Sequence, residues 1–427
     1  MNTHTQPATP RLPHAVDVAI IGGGIIGVST AYTLAQRGLR VAVFEKGTLA
    51  SEQSSRNWGW VRTLLRDPAE VPLAVRAQEL WRDIQAQIDV GFRRSGILYL
   101  AKTDEHIKNY TAWLARAPYN GAKMLDGQAA RTLLPASPVN WIGGLYAADD
   151  GVAEPSLATA GIAALARGHG CQVFERCAVR GVQTDNGRVT AVVTEHGRVN
   201  ANAVLVAGGA WSRLLCGNLG ISLPQLKVRA SVINVSAPPE PMDITVNGCD
   251  FTCRRCADGS YVVSQFNSSV ADIVPDSFRL LKHYLPAWRA NSGMIRPRFN
   301  KRFFEELRIP RRFGTDARSP FEQERNRILD PEPVPQATNA LQKLAAAFPV
   351  FQQSTVRRKW AGYIDVMPDI LPVMTQAPSL AGLYIATGFS GHGFGIGPAA
   401  GETMADLIQG KTPAIDLSAF RLDRFNT

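Results

Sequence analysis

Residues 16–46, VDVAIIGGGIIGVSTAYTLAQRGLRVAVFEK, constrain the fold of this chain more than any other segment. The apolar run over residues 18–21 predicts a parallel strand that is buried on both faces. A glycine-rich turn, a helix and a second strand over residues 39–44 follow, and an acid, Glu45, comes directly after that strand. This order predicts a βαβ unit that binds a dinucleotide, which makes a redox cofactor the first hypothesis for the chain.

Each glycine of the turn has a separate task in such a unit. Gly22 permits the tight turn, Gly24 lets a pyrophosphate approach the backbone, and Gly27 lets the helix pack closely on the strand. The helix N-terminus offers unpaired N–H groups and the positive end of its dipole to the phosphates. Glu45 is placed to bond both hydroxyls of a ribose. The alternative, a glycine turn in an ordinary α/β domain, leaves Glu45 without a role.

Length and composition indicate a globular protein of two domains or of one large discontinuous domain. The chain has 427 residues, of which 45% are hydrophobic and 19% are charged. Its net charge of +10 favours acidic ligands, anionic membrane surfaces or nucleic acid as partners. Much of the excess lies within residues 296–327, which we interpret as the solvated face of an insertion rather than as a nucleic-acid site.

Other features bear on the cellular compartment and on metals. Residues 1–14 are typical of a flexible tail, and no apolar run of about 18 residues free of helix breakers predicts a membrane-spanning helix. Six cysteines without an export signal favour the cytoplasm. Cys249, Cys253 and Cys256 cluster, but strand alternation sends Cys253 and Cys256 to opposite faces, so no metal site is expected.

Three later segments carry signals of buried strands, glycine turns or helix starts. A buried strand over residues 203–207 runs into a second glycine turn, GGAWS, and another over residues 383–387 runs into the loop GFSGHGFGIGP. Pro398 is expected to open the final helix. Residues 67–70, DPAE, predict a helix start with the glutamate at the third position, although Pro72 would delay the regular helix by a turn.

In this order, the segments resemble the FAD-dependent D-amino-acid oxidase superfamily, which includes glycine oxidase, sarcosine oxidase, D-amino-acid dehydrogenases and related amine oxidoreductases. Four motifs carry the resemblance, which covers most of the chain: IIGGGIIG with Glu45, the serine-rich loop SEQSSRNWGW, VLVAGGAWS and GFSGHGFGIGP. The resemblance implies an α/β (α+β) fold, with a discontinuous Rossmann-like FAD-binding domain and a substrate domain whose antiparallel sheet lies over the flavin. The implied boundaries are 15–92, 150–225 and 355–427 for the FAD-binding domain and 93–149 and 226–354 for the substrate domain.

The resemblance also implies which residues contact FAD. The serine-rich loop would lie along the pyrophosphate and flavin, Val179 would contact the adenine side through its backbone, and the final glycine loop would lie at the flavin ring. There the helix N-terminus would stabilise negative charge on the reduced flavin. The predicted contacts are Gly22, Gly24, Ile25, Ile26, Gly27, Glu45, Lys46, Ser54, Ser55, Arg56, Asn57, Trp58, Gly59, Val179, Gly208, Gly209, Trp211, Gly388, Gly391, His392, Gly393, Phe394, Gly395 and Ile396.

Three departures from the family pattern concern the substrate carboxylate and the flavin link. Ile364 stands where amino-acid oxidases of the family often carry a carboxylate-binding arginine after W-x-G-x. Gly395 stands where sarcosine oxidases carry a lysine that helps to hold the carboxylate. No cysteine precedes MPD at residues 367–369, where covalent members attach flavin, so noncovalent FAD is expected.

A carboxylate anchor is therefore expected from arginines elsewhere in the chain. Arg62 is the first candidate, because it follows the flavin loop where sarcosine oxidases place arginines. Arg66, Arg296 and Arg298 are weaker candidates, and a surface or structural ion pair is the alternative for all four.

Three other residues complete the predicted catalytic set with Arg62. Asp365 would hold a cationic amine or merely cap a strand end. His392 would contact substrate or serve as a structural hydrogen-bonding group. Tyr261 would form a wall of the substrate site or pack in the core.

The predicted activity is the FAD-dependent oxidation of the C–N bond of an amino acid or secondary amine. Hydride would pass from the carbon bearing the amine to flavin N5, and water would hydrolyse the resulting imine. Oxygen, a quinone or another carrier would reoxidise the flavin. Oxidases of the sarcosine type use a lysine over the flavin, and no such lysine can be placed in residues 261–265, so a dehydrogenase is favoured. The alternatives are a tRNA-modifying FAD enzyme, with steeply salt-dependent RNA binding, and an FAD-binding subunit of a larger dehydrogenase. Nucleic acid is the less favoured partner, and peripheral membrane contact stays open.

Overall fold

The computed structural model describes residues 11–117, 119, 121–265, 269–290, 295–327, 329 and 335–425, so most of the predicted tail over residues 1–14 lies outside the described residues. Among the described helices, none combines the length and the apolar character needed to cross a bilayer.

The strands follow one another along most of the chain. In chain order they are β1 (Ala15–Ile21), β2 (Val41–Phe44), β3 (Trp60–Val61), β4 (Ile97–Ala101), β5 (Ala122–Asp126), β6 (Gly143–Ala147), β7 (Gly151–Val152), β8 (Gln172–Phe174), β9 (Val179–Asp185), β10 (Arg188–Thr194), β11 (Gly197–Val206), β12 (Leu226–Val235), β13 (Thr245–Asn247), β14 (Phe251–Arg255), β15 (Tyr261–Gln265), β16 (Ser269–Asp272), β17 (Ile295–Arg298), β18 (Val356–Val366), β19 (Val373–Gln376) and β20 (Leu383–Thr387).

The helices connect these strands and cover the sheets. They are α1 (Ile25–Gln36), α2 (Gln53–Arg56), α3 (Val71–Gln87), α4 (Asp104–Arg116), α5 (Gly127–Thr132), α6 (Pro155–Gly168), α7 (Ser212–Asn218), α8 (Pro275–Arg279), α9 (Leu281–Ala290), α10 (Arg302–Leu307), α11 (Pro320–Gln323), α12 (Pro335–Ala347) and α13 (Gly393–Ile408).

The first sheet is the cofactor-binding sheet predicted from residues 16–46. Its order is β19-β20-β11-β1-β2-β8, with β10 and β9 added at β11, and β1 pairs in parallel with both β2 and β11. Strand alternation sends Ile20 and Val43 to one face, against α1, α3, α6 and α13. It sends Ile21 and Phe44 to the other face, against the β9–β11 meander and α7. The strands are therefore buried on both faces, as the apolar run predicts.

The second sheet confirms the predicted antiparallel platform. Its order is β17-β16-β12-β15-β14-β13-β4-β6-β5, and β18 also pairs with β12. Most pairs are antiparallel, while β13 with β4 and β16 with β17 are parallel. Strand β18 pairs with β12 along nearly its whole length and so lies in this sheet, although the predicted boundary at residue 355 assigns it to the FAD-binding domain. The division into two domains otherwise stays a prediction.

Two helix starts differ from their predictions. The final helix, α13, begins at Gly393 rather than at Pro398, and it tolerates this proline because the missing N–H removes a single intrahelical bond close to the N-terminus. Helix α3 begins at Val71, so the expected delay of the regular helix is confirmed and Glu70 is the N-cap rather than the third helical residue. This shift leaves the Glu70 side chain available for a long-range contact.

Candidate active site

A cavity of about 780 Å³ lies between the two sheets. The first sheet contributes residues at the carboxyl ends of its parallel strands, among them Ile21 and Phe44. The second sheet contributes residues of β12 and β18, among them Ala230 and Ile364. Crevices at the carboxyl ends of parallel strands are the usual ligand sites of such sheets, so this cavity is the candidate active site.

The glycine turn at the start of α1 leaves no room for side chains. Gly22 has φ +114°, and a Cβ there would lie 2.8 Å from the carbonyl carbon of Ala207. A Cβ at Gly24 would lie 3.0 Å from Ser54 Oγ, and one at Gly27 would press on the Gly22 carbonyl. Gly22 and Gly24 line the cavity, whereas Gly27 serves close packing, which are the tasks expected of the three positions.

Glu45 lines the cavity where β2 ends. Its Oε2 accepts the Gly23 N–H at 2.8 Å and its Oε1 accepts the Gly47 N–H at 2.8 Å. Burial raises the pKa of Glu45, and these two backbone N–H groups oppose the rise. Since a carboxylate offers about four acceptor positions, both oxygens retain a lone pair for the hydroxyls of a ribose.

The serine-rich loop folds into the short helix α2 and follows the cavity wall. Ser54 Oγ accepts the N–H of Ile25 at 2.9 Å, which joins the loop to the first turn of α1. Asn57 Nδ2 donates to the carbonyls of Gln53 and Ser54, each at 3.0 Å, and Asn57 Oδ1 accepts the Gly59 N–H at 2.7 Å. Asn57 thus stabilises the loop conformation through hydrogen bonds to the backbone of the loop itself.

Asp365 stabilises the final glycine loop. Its Oδ2 accepts hydrogen bonds from Gly388 N–H at 2.8 Å and Gln225 Nε2 at 3.0 Å, and Thr387 Oγ1 lies 3.4 Å away. Burial raises the pKa of Asp365. These contacts favour the predicted capping role over the role of an amine anchor, because the carboxylate oxygen is already used by the protein.

Arg62 and Arg66 lie together at one end of the cavity and both line it. Arg66 is buried, yet its Nη1 has no hydrogen-bond partner among the described residues. Its other guanidinium contacts, Nε to the Arg62 carbonyl and Nη2 to the His392 carbonyl, are both 3.5 Å long. Burial and the neighbouring Arg62 lower the pKa of Arg66 to about 9, so the guanidinium stays charged at neutral pH.

Asp150 holds the loop that carries both arginines. Its Oδ1 accepts from the Thr63 backbone N–H and hydroxyl, each at 2.8 Å, and from Gln78 Nε2 at 2.7 Å. Its Oδ2 lies 3.3 Å from the Leu64 N–H. The next residue, Leu65, has φ +55°, a conformation that favours glycine and that is found at strained functional sites. Asp150 therefore fixes a loop that would not adopt this shape on its own.

Buried Glu70 and half-buried His392 form a pair beside the arginines. His392 Nδ1 lies 3.0 Å from Glu70 Oε2. Burial, followed by Arg66, lowers the pKa of His392 to about 4, while Glu70 opposes the shift. Burial disfavours the Glu70 anion, but His392 and Arg66 outweigh it and lower the Glu70 pKa. The neutral imidazole therefore donates its Nδ1–H to the Glu70 carboxylate at neutral pH.

Most of the predicted cofactor contacts line this one cavity. Those that do are Gly22, Gly24, Ile25, Ile26, Glu45, Lys46, Ser54, Arg56, Asn57, Trp58, Val179, Gly208, Gly209, Trp211, Gly391, His392, Gly393, Phe394 and Gly395. Those placed behind its wall are Gly27, Ser55, Gly59, Gly388 and Ile396. The wall residues hold their neighbours: Gly388, for example, has φ +74° and donates its N–H to Asp365.

The structure corrects the assignment of Tyr261 as a catalytic residue. The side chain is fully buried in the core of the second sheet, and it does not line the cavity. Its hydroxyl donates to the Met242 carbonyl at 3.0 Å and accepts the Met242 N–H at 2.7 Å. The alternation of β15 points this residue away from the cavity, so core packing is its role.

The weaker arginine candidates on β17 lie apart from Arg62 and Arg66. Arg296 is exposed and does not line the cavity. Arg298 donates to Asp272 Oδ1 at 2.8 Å, and Asp272 lines the cavity. The ion pair expected as the alternative is thus present for Arg298.

Sequence reasoning missed Glu70 and Asp150 altogether. Glu70 looks like a residue of a helix start, and Asp150 lies in an unremarkable loop more than eighty residues from Thr63. Local patterns carry no signal for either contact, because both are made between segments distant along the chain.

The residues around the cavity fit a dinucleotide with a flavin. Gly22 and Gly24 form a cradle that any Cβ would fill, and Glu45 offers its carboxylate nearby. The loop over residues 391–395 lies at the cavity where the family places the flavin ring. None of the six cysteines, all of which are described, lines the cavity. Noncovalent attachment stays a prediction.

Comparisons with known proteins agree with this geometry. Residues 17–407 match the family model described as FAD dependent oxidoreductase. L-amino acid deaminase from Proteus myxofaciens, solved in complex with anthranilate, is 31% identical, with a TM-score of 0.94 and coverage of 98% of this chain and 95% of that chain. Glycine oxidase from Geobacillus kaustophilus is 27% identical over 435 residues, covering 97% of this chain and 98% of that protein. N-methyl-L-tryptophan oxidase from Salmonella arizonae is 27% identical over 423 residues, covering 96% and 99%.

Proposed function

Since this chain belongs to the family of FAD-dependent oxidoreductases, we propose that it oxidises the C–N bond of an amino acid whose carboxylate is held by Arg62 and Arg66. Bound FAD supplies the hydride acceptor, flavin N5. The substrate loses a hydride from the carbon that bears the amine, and the nitrogen lone pair completes the C=N bond. Loss of an N–H proton to water leaves the imine, which water hydrolyses to a carbonyl compound and ammonia or an amine.

The observation that carries the proposal is the incomplete hydrogen bonding of Arg66. A buried donor without a partner destabilises a protein by about 1–3 kcal/mol. Arg66 has one such nitrogen and two contacts at 3.5 Å, in the wall of a cavity that fits the cofactor. A substrate carboxylate would accept two parallel hydrogen bonds from a guanidinium, which is the geometry that arginine recognises best.

Arg62 provides the second positive charge and joins it to an aromatic wall. Its guanidinium lies 5.9 Å from the ring centroid of Tyr99, and Trp60 packs edge-on against the same ring at 6.0 Å. Trp58 lies next to Trp60, with ring centroids 5.5 Å apart. Arg62, Trp58 and Trp60 all line the cavity, which favours an amino acid with an apolar or aromatic side chain.

The neutral state of His392 affects the charge around the substrate amine. Hydride loss requires a substrate amine with a free lone pair, so the site does not need a strong base. His392 is uncharged at neutral pH and is held by Glu70, so it adds no positive charge beside the amine. Glu70 in turn opposes the fall in the pKa of Arg66, so this guanidinium stays charged and able to bind a carboxylate.

The similar proteins are oxidases and deaminases of amino acids, which supports amino-acid and amine oxidation rather than tRNA modification. The deaminase of Proteus myxofaciens was solved with anthranilate, an aromatic amine that carries a carboxylate. That ligand combines the two groups that Arg62, Arg66 and the tryptophan wall would recognise in this chain.

Anthranilate and aniline together test the carboxylate anchor. Titration of the oxidised holoenzyme, followed by the flavin absorbance spectrum, should show binding of anthranilate that Arg66→Ala or Arg62→Ala weakens about 10- to 100-fold, the range of a charge-assisted hydrogen bond. Aniline, which has no carboxylate, should bind the variants and the wild type alike. Arg116→Ala, an exposed arginine at the end of α4, is the matched control.

Two results would contradict the anchor. Unchanged anthranilate affinity in both cavity variants would exclude Arg62 and Arg66. A loss confined to Arg298→Ala would instead move the carboxylate to β17, beside Asp272. Anaerobic mixing with apolar L- and D-amino acids and their N-methyl forms, monitored by flavin bleaching, then identifies the substrate class.

The surface around α8–α10 supports peripheral membrane contact and a carrier as electron acceptor. Large apolar side chains there are more than half exposed, and basic residues stand between them. Leu281 and Trp288 of this surface also line the cavity, so an acceptor bound there would have access to the flavin site. The exposed apolar residues are Phe278, Leu281, Trp288, Phe299, Phe304 and Leu307.

Co-sedimentation with vesicles tests the membrane contact. Binding to phosphatidylglycerol vesicles should exceed binding to phosphatidylcholine vesicles, and the double variant Leu281→Ser/Phe299→Ser should lose most of it. Leu157→Ser changes an exposed apolar residue on α6, away from this surface, and should have no effect. Reoxidation that is faster with a quinone than with oxygen would support the carrier. Faster reoxidation by oxygen would make the protein an oxidase.

The six cysteines favour a reducing compartment. All of them are free thiols, and four are buried. Burial raises the pKa of Cys171 to about 12 and that of Cys177 to about 11, so these two thiols are unreactive. We therefore place the protein on the cytoplasmic side, which is compatible with contact at the inner surface of a membrane.

A further inference from the structure

Residues 319–327, here called the 319–327 strap, follow α10 in the chain. They reach the predicted adenosine end of the cavity, near Glu45 and Val179. The strap begins with α11 and ends in an irregular segment. It belongs to the basic region that the sequence suggests is a solvated insertion face. The structure instead places Ser319, Phe321 and Glu322 in buried positions.

The first attachment of the strap is a two-pronged ion pair with β9. Arg180 Nε donates to Glu322 Oε1 at 2.7 Å, and Arg180 Nη2 donates to Glu322 Oε2 at 3.0 Å. Glu322 also accepts the Ser319 N–H at 3.0 Å, which closes the first turn of α11. Arg180 directly follows Val179, the residue predicted to contact the adenine side.

The second attachment reaches the segment that follows Glu45. Arg325 Nη1 donates to the Lys46 carbonyl at 2.8 Å and to Glu195 Oε1 at 2.7 Å. In the opposite direction, Lys46 Nζ donates to the Glu324 carbonyl. Glu195 also accepts the Ala178 N–H at 2.7 Å. Arg325 therefore connects the chain on both sides of the predicted adenosine site.

The third attachment holds the serine-rich loop. Ser51 Oγ lies 2.8 Å from Asn326 Oδ1, and the Arg327 N–H donates to Glu52 Oε1 at 2.7 Å. The approach is close, since a Cβ added at Gly47 would lie 2.8 Å from the Arg325 carbonyl oxygen. Three separate cofactor-binding segments are thus tied to one short piece of chain.

The strap also contributes Phe321 to the wall of the cavity. This side chain is 5% exposed and lines the cavity together with Phe44, Val179 and Leu215. An adenosine that reaches Glu45 and Val179 would lie beneath the strap. We propose that the 319–327 strap is a cofactor-retaining lid, so FAD leaves only when the contacts of Arg325, Glu322 and Asn326 open.

The rate of FAD release from the holoenzyme tests the lid without any substrate. After dilution, the rise of flavin fluorescence reports release, and far-ultraviolet circular dichroism confirms that each variant is folded. We expect Arg325→Ala and Glu195→Gln each to speed release at least 10-fold, and Arg325→Lys to have an intermediate effect. Arg308→Ala removes the same charge from an exposed position of the same region and should release FAD at the wild-type rate.

Salt separates the ion-paired lid from a general loss of structure. Added potassium chloride should speed FAD release from the wild type and have a much smaller effect in Glu195→Gln, because the screened pair is absent there. Release within twofold of the wild-type rate in both Arg325→Ala and Glu195→Gln would overturn the proposal. If Arg325→Ala does not fold, Glu195→Gln and Asn326→Ala decide the question.

The lid and the carboxylate anchor can fail independently. Anthranilate affinity should be unchanged in Glu195→Gln, whose substitution lies at the adenosine end. A lid variant that releases FAD quickly but binds anthranilate normally supports the lid alone. An Arg66→Ala variant that retains FAD but loses anthranilate supports the anchor alone.

Discussion

The two ends of the cavity are built in different ways. At the adenosine end, Gly22, Gly24 and Glu45 come from one βαβ unit that spans about thirty residues. At the arginine end, Arg66 and His392 are 326 residues apart, and the Asp150 that holds their loop comes from a third segment. The central motif of the cofactor end is recognisable from the spacing within one βαβ unit, whereas the arginine end exists only after distant segments have come together.

This difference explains why the sequence predicts the cofactor more readily than the residues that bind the substrate. A dinucleotide site needs a glycine where a side chain would meet a carbonyl, and it needs an acid that bonds the ribose. These two requirements recur at a fixed spacing in the sequence. A carboxylate anchor needs only a guanidinium in the right place, and many arginines of the chain could meet that requirement. Arg66 stands out from the other candidates because it is buried and its Nη1 lacks a partner among the described residues, and Arg62 because it lines the cavity beside it, which are properties of the fold.

Gly22→Val should have the largest effect, because it breaks the locally built end. The φ of +114° at Gly22 disfavours any side chain, and a Cβ there would meet Ala207. Strain and overpacking together would cost about 2–6 kcal/mol, enough to reduce FAD affinity roughly 100-fold or more. The ratio of flavin absorbance to protein absorbance after purification measures the loss.

Gly38→Ala is the matched control for this prediction. Gly38 ends α1 in the same βαβ unit and also has a positive φ, but a Cβ there would meet nothing within 4 Å. The variant should lose a little stability and keep its FAD. Full flavin occupancy in Gly22→Val would show that the glycine turn does not hold the cofactor.

Asp150→Asn should damage the arginine end while leaving the adenosine end intact. An asparagine turns one acceptor into a donor, which then faces the N–H of either Thr63 or Leu64, because the two groups donate to different carboxylate oxygens. We expect kcat/KM to fall 10- to 100-fold with FAD retained, and the free energy of unfolding in urea to fall by about 1–3 kcal/mol. Asp149→Asn, its surface neighbour, should change neither quantity. Equal loss of FAD in Asp150→Asn would show that the two ends are not separable.

The pH dependence of stability sharpens the comparison through the half-buried His392. Its pKa is lowered to about 4, below the usual value of about 6.5, so the unfolded chain binds the proton first as pH falls. The wild type should therefore lose stability between about pH 6.5 and pH 4, by about 3 kcal/mol from this group. The lowered pKa of Glu70 adds to the loss at the acid end, because its protonation also favours unfolding.

His392→Gln should remove most of this slope. Thermal or urea unfolding of the two proteins at several pH values, with FAD in excess, measures the difference. A slope that stays the same in the variant would mean that other groups, not the histidine beside Arg66, control acid stability.

Tyr261→Phe should have the smallest effect and tests the boundary of the site. Loss of the hydroxyl removes two hydrogen bonds with Met242 and should lower stability by about 1 kcal/mol. Turnover should stay within twofold of the wild type. A large fall in kcat with normal stability would return Tyr261 to the catalytic residues.

The order of strands and turns shows how far local sequence signals reach. The βαβ unit, the strand before the second glycine turn and the strand before the final glycine loop were all predictable, because apolar periodicity and turn residues are local signals. The start of α13 was misplaced, since Pro398 looks like an opening residue although the preceding glycines already form the first turn. The membership of β18 in the second sheet depended on its pairing with β12, more than a hundred residues earlier.

The amino-acid sequence alone predicts a dinucleotide from the glycine spacing and the acid after β2, and the resemblance of four motifs to an FAD-dependent family implies that this dinucleotide is FAD. The assembled fold sets which charges surround the substrate and which segment covers the adenosine. Glu70, Asp150 and the 319–327 strap act through contacts between distant segments. Such contacts impose no fixed spacing on a sequence, because burial and charge at a site are properties of the assembled neighbours.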